Sequence, residues 1–98
     1  MAARFGDMLL EQRRRMGLSI QQVANTIKIR PQIIEFFENG NFASMPPRGY
    51  AQGMISSYAR FLGLNPREVV NAYFDELMAY ERETSQQGGR FQDAAGYV

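Results

Sequence analysis

The side chains best suited to bind another molecule lie between Lys28 and Glu35. Lys28 and Arg30 carry the positive charge that attracts DNA phosphates or the acidic groups of a partner protein. Gln32 can make paired hydrogen bonds to a base edge, and the Glu35 carboxylate can accept a hydrogen bond from cytosine. These four residues are therefore the candidate DNA contacts.

Two short helices joined by a tight turn are predicted to hold these side chains. Ser19 is a suitable N-cap for the first helix, and Gln22 follows at the capping-box spacing. Pro31 suits the first position of the second helix, and Asn39-Gly40 suits its end. Two helices this short and this close form a helix-turn-helix unit, which usually reads DNA.

Three positions on the second helix argue against base reading. The ring of Pro31 can donate nothing to a base, and the carboxylate of Glu35 is repelled by phosphate. Phe36 is expected on the same groove-facing side, where an aromatic ring suits a protein surface better than a base edge. The sequence therefore favours a protein-facing helix, with DNA binding as the alternative.

The whole chain of 98 residues is predicted to be all-α, a compact five-helix domain over residues 4–81 followed by a disordered tail or linker over residues 82–98. Phe37, Tyr58 and Phe74 are predicted to be buried, and Met16 to face inward. The first helix spans about Phe5 to Met16, the second and third lie between Ser19 and Gly40, a loop covers Asn41 to Arg48, the fourth helix spans about Tyr50 to Leu62, and the fifth runs from the Asn65 cap to about Tyr80.

Composition argues against catalysis and against cofactor or metal binding. The chain has neither cysteine nor histidine, and its net charge is only +1. Thiolate and imidazole chemistry are therefore excluded. Ser56-Ser57 has no base in a recognisable motif, and Gly88-Gly89 lacks the lysine of a phosphate loop. The sequence predicts a non-enzymatic domain with no cofactor, no small-molecule ligand and no membrane span.

Four local patterns resemble the lambda-repressor-like, or XRE-type, helix-turn-helix superfamily and, within it, the RodZ-like cytoplasmic domains. Two occur across the wider superfamily, and the K-I-R-P and Y-A-x-G patterns are more specific to the RodZ-like group. They are R-x-x-x-G-L-S at Arg13–Ser19, K-I-R-P at Lys28–Pro31, E-x-G-x-F at Glu38–Phe42 and Y-A-x-G-x-x-x-S-Y-A-R-x-L-G-L at Tyr50–Leu64.

The resemblance implies a module that binds an MreB-like actin-family filament protein in the control of cell shape. It implies a cytoplasmic location, at the inner face of the cell membrane if the native chain continues into a membrane helix. It also implies a structural salt bridge between Arg13 and Glu38. The partner surface would combine aromatic and apolar anchors with a basic rim: Lys28, Arg30, Phe36, Tyr50 and Met54.

Overall fold

The computed structural model describes the backbone of residues 4–95 and the side chains of residues 4–84. Those residues form five α-helices and one 3-10 turn, with no strand, which confirms the predicted all-α, five-helix fold. The elements are α1 (Phe5–Arg15), α2 (Ile20–Ile27), α3 (Pro31–Asn39), the 3-10 turn (Phe42–Ser44), α4 (Arg48–Phe61) and α5 (Pro66–Ala95).

The ends of α2 and α3 follow the local signals in the sequence. The Ser19 hydroxyl oxygen accepts a hydrogen bond from the Gln22 N–H at 3.1 Å. The Gln22 side-chain oxygen accepts one from the Ser19 N–H at 2.8 Å, which completes the predicted capping box. Helix α3 begins at Pro31 and ends at Asn39, and its C-cap is Gly40, whose φ of 67° is a conformation that glycine adopts at little cost. Both predicted helices of the helix-turn-helix unit are therefore present.

The ends of α1 and α4 differ from the prediction. Helix α1 ends at Arg15, and Met16 is 45% exposed instead of facing inward, because it is the C-cap residue and lies beyond the last turn that packs on the core. Helix α4 begins at Arg48, two residues early. The Pro47 carbonyl accepts hydrogen bonds from the N–H groups of Tyr50 at 2.8 Å and Ala51 at 2.9 Å, so the helix starts directly after the proline pair.

Helix α5 is longer than predicted and continues to Ala95. The apolar pattern ends near Tyr80, but such a pattern reports which side chains are buried and not how far the helical backbone extends. Glu81, Arg82 and Glu83 are good helix formers. The helix therefore enters the segment predicted as a disordered tail, of which residues 96–98 lie outside the described part of the chain. The domain boundary at residue 81 stays a prediction.

The buried core draws on all five helices. Phe37 and Tyr58 are fully buried, as predicted, whereas Phe74 is half-buried because it lies beside the inner face of α5 and packs on Tyr73 at a ring distance of 5.3 Å. Tyr73 also meets Phe5 edge-on at 5.3 Å, which joins α5 to α1. The core side chains are Phe5, Leu9, Val23, Ala24, Ile34, Phe37, Ala51, Ile55, Tyr58, Ala59, Leu62, Val69, Tyr73 and Leu77.

Helix α1 approaches the end of α3 most closely at Gly6. A Cβ atom there would overlap the backbone carbonyl oxygens of Phe37 and Glu38. Gly6 is buried and helical, so its lack of a side chain is required by packing and not by backbone conformation. Sequence reasoning did not identify this position. The contact sets the distance between α1 and the helix that carries the candidate binding residues.

Candidate nucleic-acid interface

The four candidate DNA contacts all lie on the outer surface of the helix-turn-helix unit. Lys28, Arg30, Gln32 and Glu35 are each exposed. Lys28 is the C-cap of α2 and has a left-handed backbone (φ 61°, ψ 44°), and its N–H donates to the Ala24 carbonyl at 2.9 Å. Arg30 is the N-cap of α3. The turn therefore brings two cations beside the start of α3, and we call these four residues the α3 face.

Helix α3 is strongly divided between a buried and an exposed side. Ile34, Phe37 and Glu38 are buried. At 100° per residue, Gln32 and Glu35 lie on the opposite side. Val23 and Ala24 of α2 are buried in the same core, so apolar contacts on the inner side hold the helix-turn-helix unit against the rest of the domain. The polar side chains are left free to meet another molecule.

Phe36 lies on the same side of α3 as Gln32, because four residues along a helix turn the side chain by only about 40° past a full turn. Phe36 is half-buried and is not among the side chains packed against the core. Pro31 is also half-buried, at the first position of the helix. Of the three residues that argue against base reading, Glu35 is exposed, whereas Pro31 and Phe36 are half-buried.

A buried ionic cluster holds α3 in place from behind. The Arg13 guanidinium donates from Nε to Glu38 Oε2 at 2.7 Å and from a terminal nitrogen to Oε1 at 2.9 Å. Its other terminal nitrogen donates to the Leu18 carbonyl at 2.9 Å. The Tyr58 hydroxyl of α4 donates to the same Glu38 carboxylate. Glu38 is only 6% exposed, so the cluster ties α1, α3 and α4 together inside the domain.

The surroundings of this cluster keep the Tyr58 hydroxyl protonated and the Arg13 guanidinium charged. Burial raises the pKa of Tyr58, and its hydrogen bond to the negatively charged Glu38 raises the pKa further. The hydrogen bond to Glu38 also raises the pKa of Arg13, so this guanidinium stays charged. No buried side-chain nitrogen or oxygen among the described residues lacks a hydrogen-bond partner. The cluster is therefore fully satisfied.

The family resemblance implies the Arg13–Glu38 pair that the structure contains, but the third member, Tyr58, is predicted only to be buried. Tyr58 is indeed fully buried. The available signal was the hydroxyl, because a buried tyrosine needs a hydrogen-bond partner that phenylalanine does not. Nothing in the sequence named Glu38 as that partner, since the two residues lie on different helices.

The candidate protein-binding residues occupy two parts of the surface. Tyr50 is 70% exposed on the first turn of α4, and Met54 lies one turn later, half-buried against the core. Lys28, Arg30 and Phe36 belong instead to the α2–α3 unit. The described side chains include no group of three or more residues that could hold a metal ion. No helix in the described part of the chain is long and apolar enough to cross a membrane.

Comparisons with known proteins agree with this architecture. The chain is 35% identical over 72 residues to an uncharacterized Haemophilus influenzae protein; the match covers 72% of this chain and 24% of that protein, so the chain spans about a quarter of that relative's length. The fold also matches YmfM of Staphylococcus aureus, described as a membrane protein proposed to bind DNA, with a TM-score of 0.70 and 26% identity over 76% of this chain and 90% of that one. Residues 8–69 match the model of a family described as a helix-turn-helix domain, and the chain belongs to that family.

Proposed function

We propose that this helix-turn-helix domain binds DNA through the α3 face. The observation that carries the proposal is the simultaneous exposure of Lys28, Arg30, Gln32 and Glu35 around the start of α3. The DNA-binding description of the structurally similar YmfM supports the same function. Helix-turn-helix domains are typically non-enzymatic, which fits a binding role.

Each residue of the α3 face has a distinct task in this proposal. In a helix-turn-helix protein the N-terminal residues of the second helix contact base edges in the major groove. Gln32 would supply the base contact, and Lys28 and Arg30 would neutralise phosphates on either side of it. Glu35 restricts the base it can meet, because a carboxylate can only accept hydrogen bonds, and the donors in the major groove are the amino groups of cytosine and adenine.

Fluorescence anisotropy with duplex DNA at several salt concentrations tests this function. The logarithm of the affinity is expected to fall linearly with the logarithm of the salt concentration, and Lys28→Ala and Arg30→Ala should each reduce that slope by about 0.9. Gln32→Ala should leave the slope unchanged but reduce discrimination between base sequences by about 1–3 kcal/mol. Arg82→Ala, an exposed arginine on α5, is the matched control and should change neither quantity.

The exposed ring of Tyr50 supports a second candidate function, docking on a protein filament. A tyrosine that is 70% exposed beside a half-buried methionine is the kind of residue that anchors protein interfaces. The RodZ-like resemblance supports an MreB-like filament protein as the partner in this second proposal, in the control of cell shape at the membrane. Lys28 and Arg30 would form a basic rim, and Phe36 a second anchor.

Co-pelleting with MreB-like filaments distinguishes the two functions. Docking predicts that the double variant Tyr50→Ala/Arg30→Glu stays in the supernatant while the unaltered protein pellets. If both proteins pellet equally, this surface does not bind the filament. Tyr50→Ala alone should not alter DNA affinity, since Tyr50 lies outside the α3 face.

A further inference from the structure

A groove of about 820 Å³ lies between α4 and the start of α5. It is separate from the α3 face, because no residue of α2 or α3 lines it. One wall is formed by α4 and the other by the first turns of α5. The residues that the argument uses are Gly49, Gly53, Ser56, Arg60, Arg67 and Val70.

Two glycines in this groove have no explanation within the domain itself. Gly53 is in the interior of α4 and Gly49 is its second residue, and neither has a positive φ. A Cβ at either position would meet nothing within 4 Å, in contrast to Gly6. Glycine weakens a helix interior relative to alanine. Neither packing nor backbone conformation within the domain therefore requires glycine at position 53, and the missing side chain leaves the backbone of α4 open to a molecule that approaches from outside.

The small residues of α4 are spaced to admit a second helix. Gly49, Gly53 and Ser56 follow one another at intervals of four and three residues, so they lie on one face of α4. Small side chains at this spacing let two helix backbones approach closely. Val70 of α5 is half-buried at the groove wall, which gives the incoming helix an apolar contact.

The charge of the groove is entirely positive. Arg60 lies on the glycine face of α4, and Arg67 lies on the opposite wall; both are exposed, and no acidic residue lines the groove. Neither arginine forms an ion pair with a described side chain. The salt bridge among these side chains joins Arg13 to Glu38. The N-terminus of α5 adds no free donor here, because the Asn65 side chain already accepts from the Arg67 and Glu68 N–H groups at 2.9 and 3.4 Å.

We infer that this groove binds an acidic helix of a partner protein. The backbone of that helix would lie against Gly49 and Gly53, and its carboxylates would pair with Arg60 and Arg67. Two copies of this chain placed groove to groove would bring four arginines together, so the charge argues against self-association. The α3 face stays free, so the domain could hold DNA and this partner at once.

The test titrates the 98-residue protein with a defined probe and follows its backbone amide signals by NMR. The probe is an alanine-rich helical peptide of about 20 residues, long enough to be helical in water, with glutamates along one face. The control peptide has lysine at each glutamate position. The glutamate peptide should shift the amides of Gly49, Gly53, Arg60 and Arg67 saturably and leave Gln32 unshifted, and the lysine peptide should shift none of them.

Variants of the groove residues distinguish binding in this groove from non-specific binding elsewhere on the protein. Gly53→Leu fills the groove and should abolish the shifts, whereas Ser57→Leu places the same side chain at an exposed position of α4 outside the groove and should not. Arg60→Glu/Arg67→Glu leaves the core untouched and should weaken the glutamate peptide about tenfold or more. Melting temperatures show that each variant is folded.

Several results would overturn the inference. These are the absence of saturable shifts, equal shifts with the lysine peptide, and binding that survives the double charge reversal. Shifts of the groove amides on dilution of the protein alone would assign the groove to a second copy. Displacement of the glutamate peptide by duplex DNA would assign it to nucleic acid. None of these results bears on DNA binding by the α3 face, which is measured with Lys28 and Arg30 variants.

Discussion

The Tyr58 hydroxyl donates a hydrogen bond to the buried Glu38 carboxylate, on which Arg13 also makes a two-pronged ion pair. Tyr58 belongs to α4 and Glu38 to α3, so this contact links the candidate DNA-binding helix to the helix that walls the α4–α5 groove. Because Glu38 is buried, neither partner can be removed without leaving a charge or a hydroxyl unsatisfied. The orientation of α3 therefore depends on a polar cluster as well as on apolar packing.

Replacing Arg13 by alanine should strongly destabilise the domain. Glu38 would remain buried without its cation, which costs about 3–5 kcal/mol of unfolding free energy. Urea denaturation followed by circular dichroism measures the loss. Arg14→Ala is the matched control on the same helix, because Arg14 is exposed and forms no ion pair with a described side chain, and it should change stability by less than about 0.5 kcal/mol. Equal effects of the two variants would contradict the structural role of the ion pair.

The stability of the domain should fall at alkaline pH because of Tyr58. Folding raises the pKa of this hydroxyl above its ordinary value of 10.0, so the unfolded chain loses the proton first. The stabilisation is therefore complete below pH 10 and is lost as the pH rises above it, by up to about 1.4 kcal/mol per pH unit.

Tyr58→Phe isolates this dependence. The variant should be less stable at neutral pH by about 1–3 kcal/mol, because the Glu38 carboxylate loses a hydrogen bond. Its unfolding free energy should then decline less steeply above pH 10. Burial also raises the pKa of Tyr73, but that residue is present in both proteins and cancels in the comparison. Parallel stability curves would contradict the assignment.

Gly6 and Gly53 should respond oppositely to alanine. At Gly6 the added methyl group meets backbone carbonyl oxygens of α3, which cannot move independently, so Gly6→Ala should cost about 1–3 kcal/mol by overpacking. At Gly53 the methyl group meets nothing, and the variant should gain about 0.5–1 kcal/mol from helix propensity. Thermal unfolding of both variants gives the comparison, and a shared sign would refute it.

The fold could be predicted largely from local signals. Ser19, Pro31 and Gly40 act on their own neighbours along the chain, so their caps and ends are readable without a structure. The predicted end of α5 is too early because apolar periodicity reports which side chains are buried and not how far the helical backbone extends. The predicted start of α4 is too late because the prolines restrict only their own local backbone, and the helix begins directly after them. Met16 was misplaced for a related reason, since one residue decides whether a side chain at a helix end faces the core.

The residues of the candidate site could be predicted from the sequence, but their contacts with other helices could not. Lys28, Arg30, Gln32 and Glu35 could be named from charge and position, and the structure exposes all four. The close approach at Gly6 and the hydroxyl contact of Tyr58 each depend on a second helix. Such contacts join residues distant in sequence, and a single sequence carries no record of them.

The claim that α3 faces DNA is tested most directly by NMR titration with a short mixed-sequence duplex at low salt, where non-specific binding is strongest. If the α3 face binds DNA, the amide signals of Lys28, Arg30, Gln32 and Glu35 shift most and return to their free positions as salt is raised. An absence of shifts at low salt, or shifts confined to α4 and α5, would contradict it.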